Sequence, residues 1–151
     1  MKIKLPRLIA AIALPFVAGA IGSYFTFPNI ESWYANLTKP SFSPPNWLFG
    51  PAWTTLYILM GISLYLVWKK YLKLFILHLG LNAFWSIAFF GLHNITLALA
   101  VIIALWIIIA YMIIKFYKVN KWASCLLVPY LAWVTFAAFL NFSVLLLNPT
   151  P

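Results

Sequence analysis

The residues Trp33-Tyr34-Ala35-Asn36-Leu37-Thr38-Lys39-Pro40-Ser41-Phe42-Ser43-Pro44-Pro45-Asn46-Trp47 interrupt an otherwise hydrophobic chain, which turns apolar again through Gly50-Pro51-Ala52-Trp53. Short polar loops are enough to connect transmembrane helices, whereas this stretch is long, aromatic and nearly uncharged. Proline fixes its own backbone and biases the preceding residue towards extended geometry, so the prolines at 40, 44, 45 and 51 stiffen it. We interpret the stretch as a semi-rigid lid over a site inside the membrane.

The composition is that of an integral membrane protein. Of the 151 residues, 66% are hydrophobic and 7% are charged, and the mean hydropathy is +1.00. A soluble domain would be charged at about a quarter of its positions. The length predicts a single membrane domain over residues 1–151. The one cysteine, Cys125, gives neither an intrachain disulfide nor a metal-site spacing.

The hydrophobic pattern predicts an all-α bundle of five transmembrane helices, with the long lid loop between the first and second. A run of about 20 apolar residues crosses a bilayer as a helix. Proline at 15 and at 129 is expected to bend the first and fifth helices. The five predicted spans are roughly 7–27, 47–68, 72–92, 95–117 and 122–147.

The basic residues predict the orientation. Nine cations lie on one side of the predicted bundle and only Lys39 on the other; the nine are Lys2, Lys4, Arg7, Lys69, Lys70, Lys73, Lys115, Lys118 and Lys121. By the positive-inside rule the N-terminus is cytoplasmic, and the lid loop and C-terminus face outward. The net charge of +9 is therefore interpreted as a topology signal with contact to membrane lipids, and not as a nucleic-acid surface.

A signal peptide is the alternative interpretation of the N-terminus, because Lys2-Ile-Lys4 and the following apolar run lead to Ala18-Gly19-Ala20. The apolar sequence continues to Phe27, however, which is the length of a full span. We therefore expect a first transmembrane helix.

Polar and aromatic residues converge on the inner faces of three predicted helices. Positions spaced by four residues share a helix face, and polar side chains at this depth are expected to face the bundle interior. Tryptophans 53, 85 and 133 lie too deep for an interfacial belt, unlike those at 47, 68 and 122. The aligned sets are Trp53, Tyr57 and Gly61; His78, Asn82 and Ser86; and Trp133, Ala137 and Asn141.

This convergence predicts a chamber in the outer half of the bundle, beneath the lid and suited to a planar apolar ligand. Asn, Ser and His also serve as contacts between helices. For Asn82 this alternative is as good as a ligand contact, and for His78 it is the better one. The predicted fourth span is apolar all round, apart from the small residues Ala100 and Ala104, and is expected to face lipid.

The motifs resemble the tryptophan-rich sensory proteins, the microbial relatives of the mitochondrial translocator protein. The resemblance covers essentially the whole chain and rests on Trp33-Tyr34-x2-Leu37-x-Lys39-Pro40-x3-Pro44-Pro45-x-Trp47, Trp53-x3-Tyr57-x2-Met60-Gly61, Asn82-Ala83-x-Trp85-Ser86 and Pro129-Tyr130-x2-Trp133-x2-Phe136-Ala137-x2-Leu140-Asn141. The cholesterol-recognition pattern of animal members is absent from 141–148.

The resemblance implies a homodimeric five-helix receptor or transporter that binds porphyrins such as protoporphyrin IX, and other flat apolar ligands, beneath the first loop. Porphyrin would be a ligand and no cofactor or metal is expected. Carried over by motif position, the ligand-binding residues would be Tyr34, Pro44, Trp53, Tyr57, Asn82, Trp85, Ser86, Trp133 and Ala137.

Two other functions stay open. The resemblance also allows light-dependent degradation of porphyrin, in which Trp53 and Trp133 would take part; a bilin-like product formed on illumination would distinguish it. Ordinary acid–base catalysis lacks residues near the predicted chamber, since the only carboxylate is Glu31. The third hypothesis is a structural or signalling membrane subunit.

Overall fold

The computed structural model describes residues 4–149, so Lys2 of the predicted basic set lies outside the described residues. Residues 4–149 form helices joined by turns and loops, and none of these residues belongs to a β-strand. The helices are α1 (Leu5–Ile30), α2 (Phe49–Ser86), α3 (Ile95–Tyr117), α4 (Lys121–Cys125) and α5 (Val128–Leu147). Two 3₁₀ turns, Tyr34–Asn36 and Asn46–Leu48, lie between α1 and α2, and a π-helical turn, Ile87–Gly91, follows α2.

Four helical stretches within residues 4–149 are long and apolar enough to cross a membrane: Leu5–Ile30, Asn46–Gly91, Ile95–Tyr117 and Lys121–Leu147. The chain is therefore a membrane protein of helical architecture. The prediction of five separate helices is not confirmed, because the predicted spans 47–68 and 72–92 are joined in the single helix α2. No Gly or Pro occurs between Ile62 and Leu79, so nothing in the local sequence ends the helix there.

α2 is not straight. Trp53 and His78 both pack against Tyr130, with ring centroids 6.2 and 5.7 Å away, respectively. A straight helix would separate these two residues by about 37 Å. The helix therefore bends back on itself between them.

The contacts of α2 with α1 give the same result. Along the first half of α2 the contacts run antiparallel to α1, whereas along the second half and the π-helical turn they run parallel to it. The pairs are Ile12–Gly61 and Gly19–Tyr57 for the first half, and Gly22–Ser86 and Phe25–Gly91 for the second. The chain reverses direction within α2, and both halves lie beside α1.

The predicted span 122–147 is divided in the structure. α4 ends at Cys125 and α5 begins at Val128, with Pro129 in its first turn. The first turn tolerates proline because its N–H groups have no partner inside the helix. The prediction that Pro129 bends a continuous fifth helix is therefore wrong, while Pro15 does lie inside α1.

Two asparagines set the starts of helices. The side chains of Asn94 and Asn120 accept hydrogen bonds from the backbone N–H groups of Leu97, at 2.9 Å, and Ala123, at 3.2 Å. Each satisfies an N–H group that the first helical turn leaves free. α3 consequently begins at the predicted boundary, Ile95.

Three segments that carry basic residues meet at one end of the bundle. The backbone N–H of Lys4 donates to the Tyr65 hydroxyl over 3.0 Å, and the Tyr71 hydroxyl donates to the Lys115 carbonyl over 3.3 Å. The N-terminal segment, the bend of α2 and the end of α3 are thus neighbours. The segment 31–48 lies at the opposite end, where Thr38 is bonded to Asn148.

Candidate ligand-binding site

A cavity of about 480 Å³ lies between α1, the two halves of α2 and α5. Its volume falls within the range of roughly 300–1,000 Å³ that is usual for small-molecule sites. Eight of the nine predicted site residues line it: Tyr34, Trp53, Tyr57, Asn82, Trp85, Ser86, Trp133 and Ala137. The ninth, Pro44, does not line the cavity. That these residues contact a ligand stays a prediction.

Small residues of both helices make the close approach of α1 and α2 possible. A Cβ atom added at Gly61 would lie 2.6 Å from the Cα of Ile12, and one added at Gly22 would lie 2.9 Å from the Ser86 hydroxyl oxygen. Gly19 is similarly close to the ring of Tyr57. Such close contacts between helices require residues without large side chains. The glycines therefore place Tyr57 and Ser86 at the cavity wall.

Three indole rings from separate segments form part of the wall. Trp53 of the first half of α2 and Trp133 of α5 meet edge to face, with centroids 6.4 Å apart. Trp85 lies on the second half of α2 and stacks on Phe89 at 5.3 Å. The wall thus offers broad aromatic surfaces, which stack on planar groups.

Asn141 holds Trp85 in position. The Trp85 indole N–H donates to the Asn141 side-chain oxygen over 3.0 Å. The Asn141 amide donates in turn to the Ile95 carbonyl over 3.1 Å. A buried indole N–H needs such a partner, and this chain of bonds ties α2, α3 and α5 together beside the cavity.

Asn82 forms a contact between helices and also lies at the cavity wall. Its side-chain N–H donates to the Tyr130 hydroxyl over 2.9 Å and so joins α2 to α5, and the same side chain lines the cavity. His78, by contrast, is fully buried and packs on Phe75 and Tyr130. It is not among the lining residues, in agreement with the structural role preferred for it.

Two residues of the segment 31–48, Tyr34 and Asn46, line the cavity. Tyr34 is buried and lines the cavity, and the Lys39 ammonium lies 4.6 Å from the centre of its ring. Burial raises the pKa of the Tyr34 hydroxyl, so this side chain stays neutral at physiological pH. Trp33 stacks on His93 with centroids 4.4 Å apart and planes inclined by 14°.

Thr38 and Asn148 fasten this segment to the end of α5. The Thr38 backbone N–H donates to the Asn148 side-chain oxygen over 2.9 Å, and the Asn148 amide donates to the Thr38 carbonyl over 2.8 Å. The two hydrogen bonds have the pattern of those between adjacent β-strands, except that the Asn148 side-chain amide takes the place of the backbone of one strand. They join residues that are far apart in the chain.

Sequence reasoning missed the contribution of α1. Gly22, Ser23 and Phe27 line the cavity. The run Ala18-Gly19-Ala20, which resembles a cleavage site, lies within α1, where Gly19 is next to Tyr57. Ala18 and Gly22, which are four positions apart, were the available signal for a helix contact. Phe89 and Phe90, in the π-helical turn, were missed as well.

Metal ligands do not cluster in the described part of the chain: within residues 4–149, no three His, Cys, Asp or Glu side chains are placed to hold one ion. The polar lining groups are hydroxyls and amides, such as Ser23, Ser86 and Asn46. These groups donate and accept hydrogen bonds but carry no charge. The cavity can therefore enclose a largely apolar molecule and orient it by a few polar contacts.

Comparison with known proteins identifies relatives over nearly the whole chain. The model of the TspO/MBR family matches residues 11–147. The Tryptophan-rich protein TspO of Archaeoglobus fulgidus is 48% identical over 149 residues, covering 94% of this chain and 97% of the relative. The Tryptophan-rich sensory protein of Cereibacter sphaeroides is 36% identical over 145 residues, covering 93% and 88%. The Translocator protein of Bos taurus is 36% identical over 139 residues, covering 85% and 82%.

Proposed function

The chain belongs to the TspO/MBR family, and from this premise we propose that it is a membrane receptor or transporter for porphyrins and other flat apolar molecules. The observation that carries the proposal is the cavity whose wall contains Trp53, Trp85 and Trp133. Relatives named translocator and sensory protein are consistent with it. The ligand would lie between the indole faces, beneath the segment 31–48.

The proposal includes five membrane crossings, in which α2 contributes two. A helix of 38 residues is about 57 Å long if straight, almost twice the hydrocarbon core of about 30 Å. Because the chain reverses direction within α2, the helix is divided into two halves, and each half is long enough for one crossing. The first loop would then act as the lid of the cavity.

The proposed orientation places the basic end of the bundle in the cytoplasm. The bend of α2 and the end of α3, which both carry lysines, are neighbours, and this supports a single cytoplasmic face under the positive-inside rule. The lid and the C-terminus would then face outward. Trp47 and Trp122 are exposed, with 72% and 75% of their surface accessible. Exposed tryptophans are typical of the two membrane–water interfaces.

A homodimer, expected from the family resemblance, is also part of the proposal. Ala100 and Ala104 are both exposed on α3, one turn apart. Small residues at this spacing allow two helices to approach closely in a membrane. The exposed face of α3 would thus be available to a second copy of the chain.

Replacing Asn82 by alanine tests the polar part of the cavity. We expect Asn82→Ala to weaken protoporphyrin IX binding by roughly fivefold, because one hydrogen-bonding group is worth about 1 kcal/mol. The shift of the porphyrin Soret band on titration measures the affinity. Asn36→Ala is the matched control, since Asn36 is exposed and does not line the cavity. Equal affinities of the two variants would show that Asn82 serves only as a contact between helices.

A further inference from the structure

The cavity is open along one side of the bundle. Several of its lining residues are also exposed, and they lie on two neighbouring helices. On α1, Phe27 is 71% exposed. We call this opening the side window; its exposed lining residues are Ala20 and Phe27 of α1 with Gly50 and Thr54 of α2.

The window runs along the helix axis and not across the end of the bundle. Ala20 and Phe27 are separated by 7 residues of α1, or about 10 Å along a helix. Towards the basic end the two helices come together, because Gly61 packs on Ile12 and Gly19 on Tyr57. The gap between α1 and the first half of α2 therefore begins next to Gly19 and extends towards the segment 31–48.

The end of the bundle above the window is closed by contacts. Trp33 stacks on His93, Tyr34 is buried, and Thr38 is bonded twice to Asn148. Phe42 meets Phe136 of α5 with centroids 6.4 Å apart. Passage through this end would require these contacts to separate, whereas passage through the side window would not.

We propose that ligands reach the cavity sideways, from the hydrocarbon interior of the membrane, through the window between α1 and α2. This inference rests on the proposed function. An exposed face of a membrane-spanning helix meets acyl chains, and the window residues on α1 are apolar, as that environment requires. The substrate class is therefore molecules that have already dissolved in the bilayer, and the segment 31–48 stays closed during their entry.

Gly50 offers a direct test. A Cβ atom added there would meet nothing within 4 Å, so a side chain can be introduced without a clash at its first atom, at a position that lines the window. Gly80 is the matched control, because it is also exposed, also has open space around it, and does not line the cavity. Both glycines lie within α2, and phenylalanine has a higher helix propensity than glycine, so neither substitution opposes the helix.

The experiment compares Gly50→Phe with Gly80→Phe in lipid nanodiscs by stopped-flow fluorescence of protoporphyrin IX. We expect Gly50→Phe to slow both association and dissociation by about tenfold or more, so that their ratio changes much less than either rate. Gly80→Phe should keep the rates of the unmodified protein. Equal association rates for the two variants would overturn the side-window route, as would a loss of affinity in Gly50→Phe without slower association.

A second variant tests the closed end. Asn148→Ala removes the bonds to Thr38 and should leave association no faster, because the ligand does not pass there. Faster association in Asn148→Ala, with no slowing in Gly50→Phe, would place the entrance at the segment 31–48 and contradict the inference. If the unmodified protein shows no saturable binding at all, the proposed function fails, and the entry route fails with it.

Discussion

Replacing Trp53 by alanine is expected to weaken protoporphyrin IX binding by roughly thirtyfold. The indole lines the cavity, meets Trp133 edge to face at 6.4 Å and packs on Tyr57 at 5.4 Å. Removing it takes away a stacking surface and frees its aromatic neighbours to move. Buried tryptophans at binding sites commonly contribute about 2 kcal/mol or more, which corresponds to the stated factor.

The control for Trp53→Ala is Trp122→Ala. Trp122 is 75% exposed and lies in α4, away from the cavity. A Soret-band titration measures both variants without depending on the number of tryptophans. An affinity of Trp53→Ala within about twofold of the control would exclude this wall of the cavity as the porphyrin site.

Replacing Gly61 by leucine is expected to be the most destabilising single change, at about 3 kcal/mol or more. The first atom of the new side chain would lie 2.6 Å from the Cα and 2.9 Å from the Cγ1 of Ile12. A backbone atom cannot turn away as a side chain can, so α1 and α2 must separate. Overpacking of this kind costs about 1–3 kcal/mol where side chains can adjust, and more where they cannot.

Thermal unfolding in detergent, followed by circular dichroism, measures this loss. Gly80→Leu is the matched control, since a side chain at Gly80 enters open space, and leucine favours a helix over glycine by about 0.5–1 kcal/mol. We expect a much lower midpoint for Gly61→Leu and an unchanged or higher one for Gly80→Leu. Similar midpoints for the two variants would show that α1 and α2 do not pack as described.

Local patterns in the sequence predicted part of the fold well. The apolar composition indicated a helical membrane protein, which the four long apolar helices and the family match support. The bounds 95–117 agree with α3, because Asn94 caps its start and the charged residues after Tyr117 follow its end. Such signals lie within a few residues of the feature they determine.

The errors concern features that depend on distant contacts. The spans 47–68 and 72–92 predict the reversal of the chain, but not that residues 49–86 stay helical through it, since the absence of Gly or Pro at the reversal matters only once both halves pack on α1 and Tyr130. Pro129 was expected to bend the fifth predicted helix. It lies instead in the first turn of α5, because α4 ends at Cys125 and a new helix begins at Val128.

Most of the residues expected at the site line the cavity, because periodicity places them on the same helix faces. Trp53 and Tyr57, Asn82 and Ser86, and Trp133 and Ala137 are each separated by four positions and line the same cavity. Pro44 was transferred by motif alone, without a periodicity argument, and does not line it. The α1 wall was missed because glycines such as Gly22 carry no chemical signal of a site, although they determine how closely the helices approach.

A structure of the protein with protoporphyrin IX bound would show whether the cavity is the ligand site. We expect the macrocycle inside the cavity, in contact with the indoles of Trp53, Trp85 and Trp133 and beneath Tyr34. A macrocycle located on the exposed face of α3, or elsewhere outside the cavity, while the three indoles remain in their present positions, would contradict it.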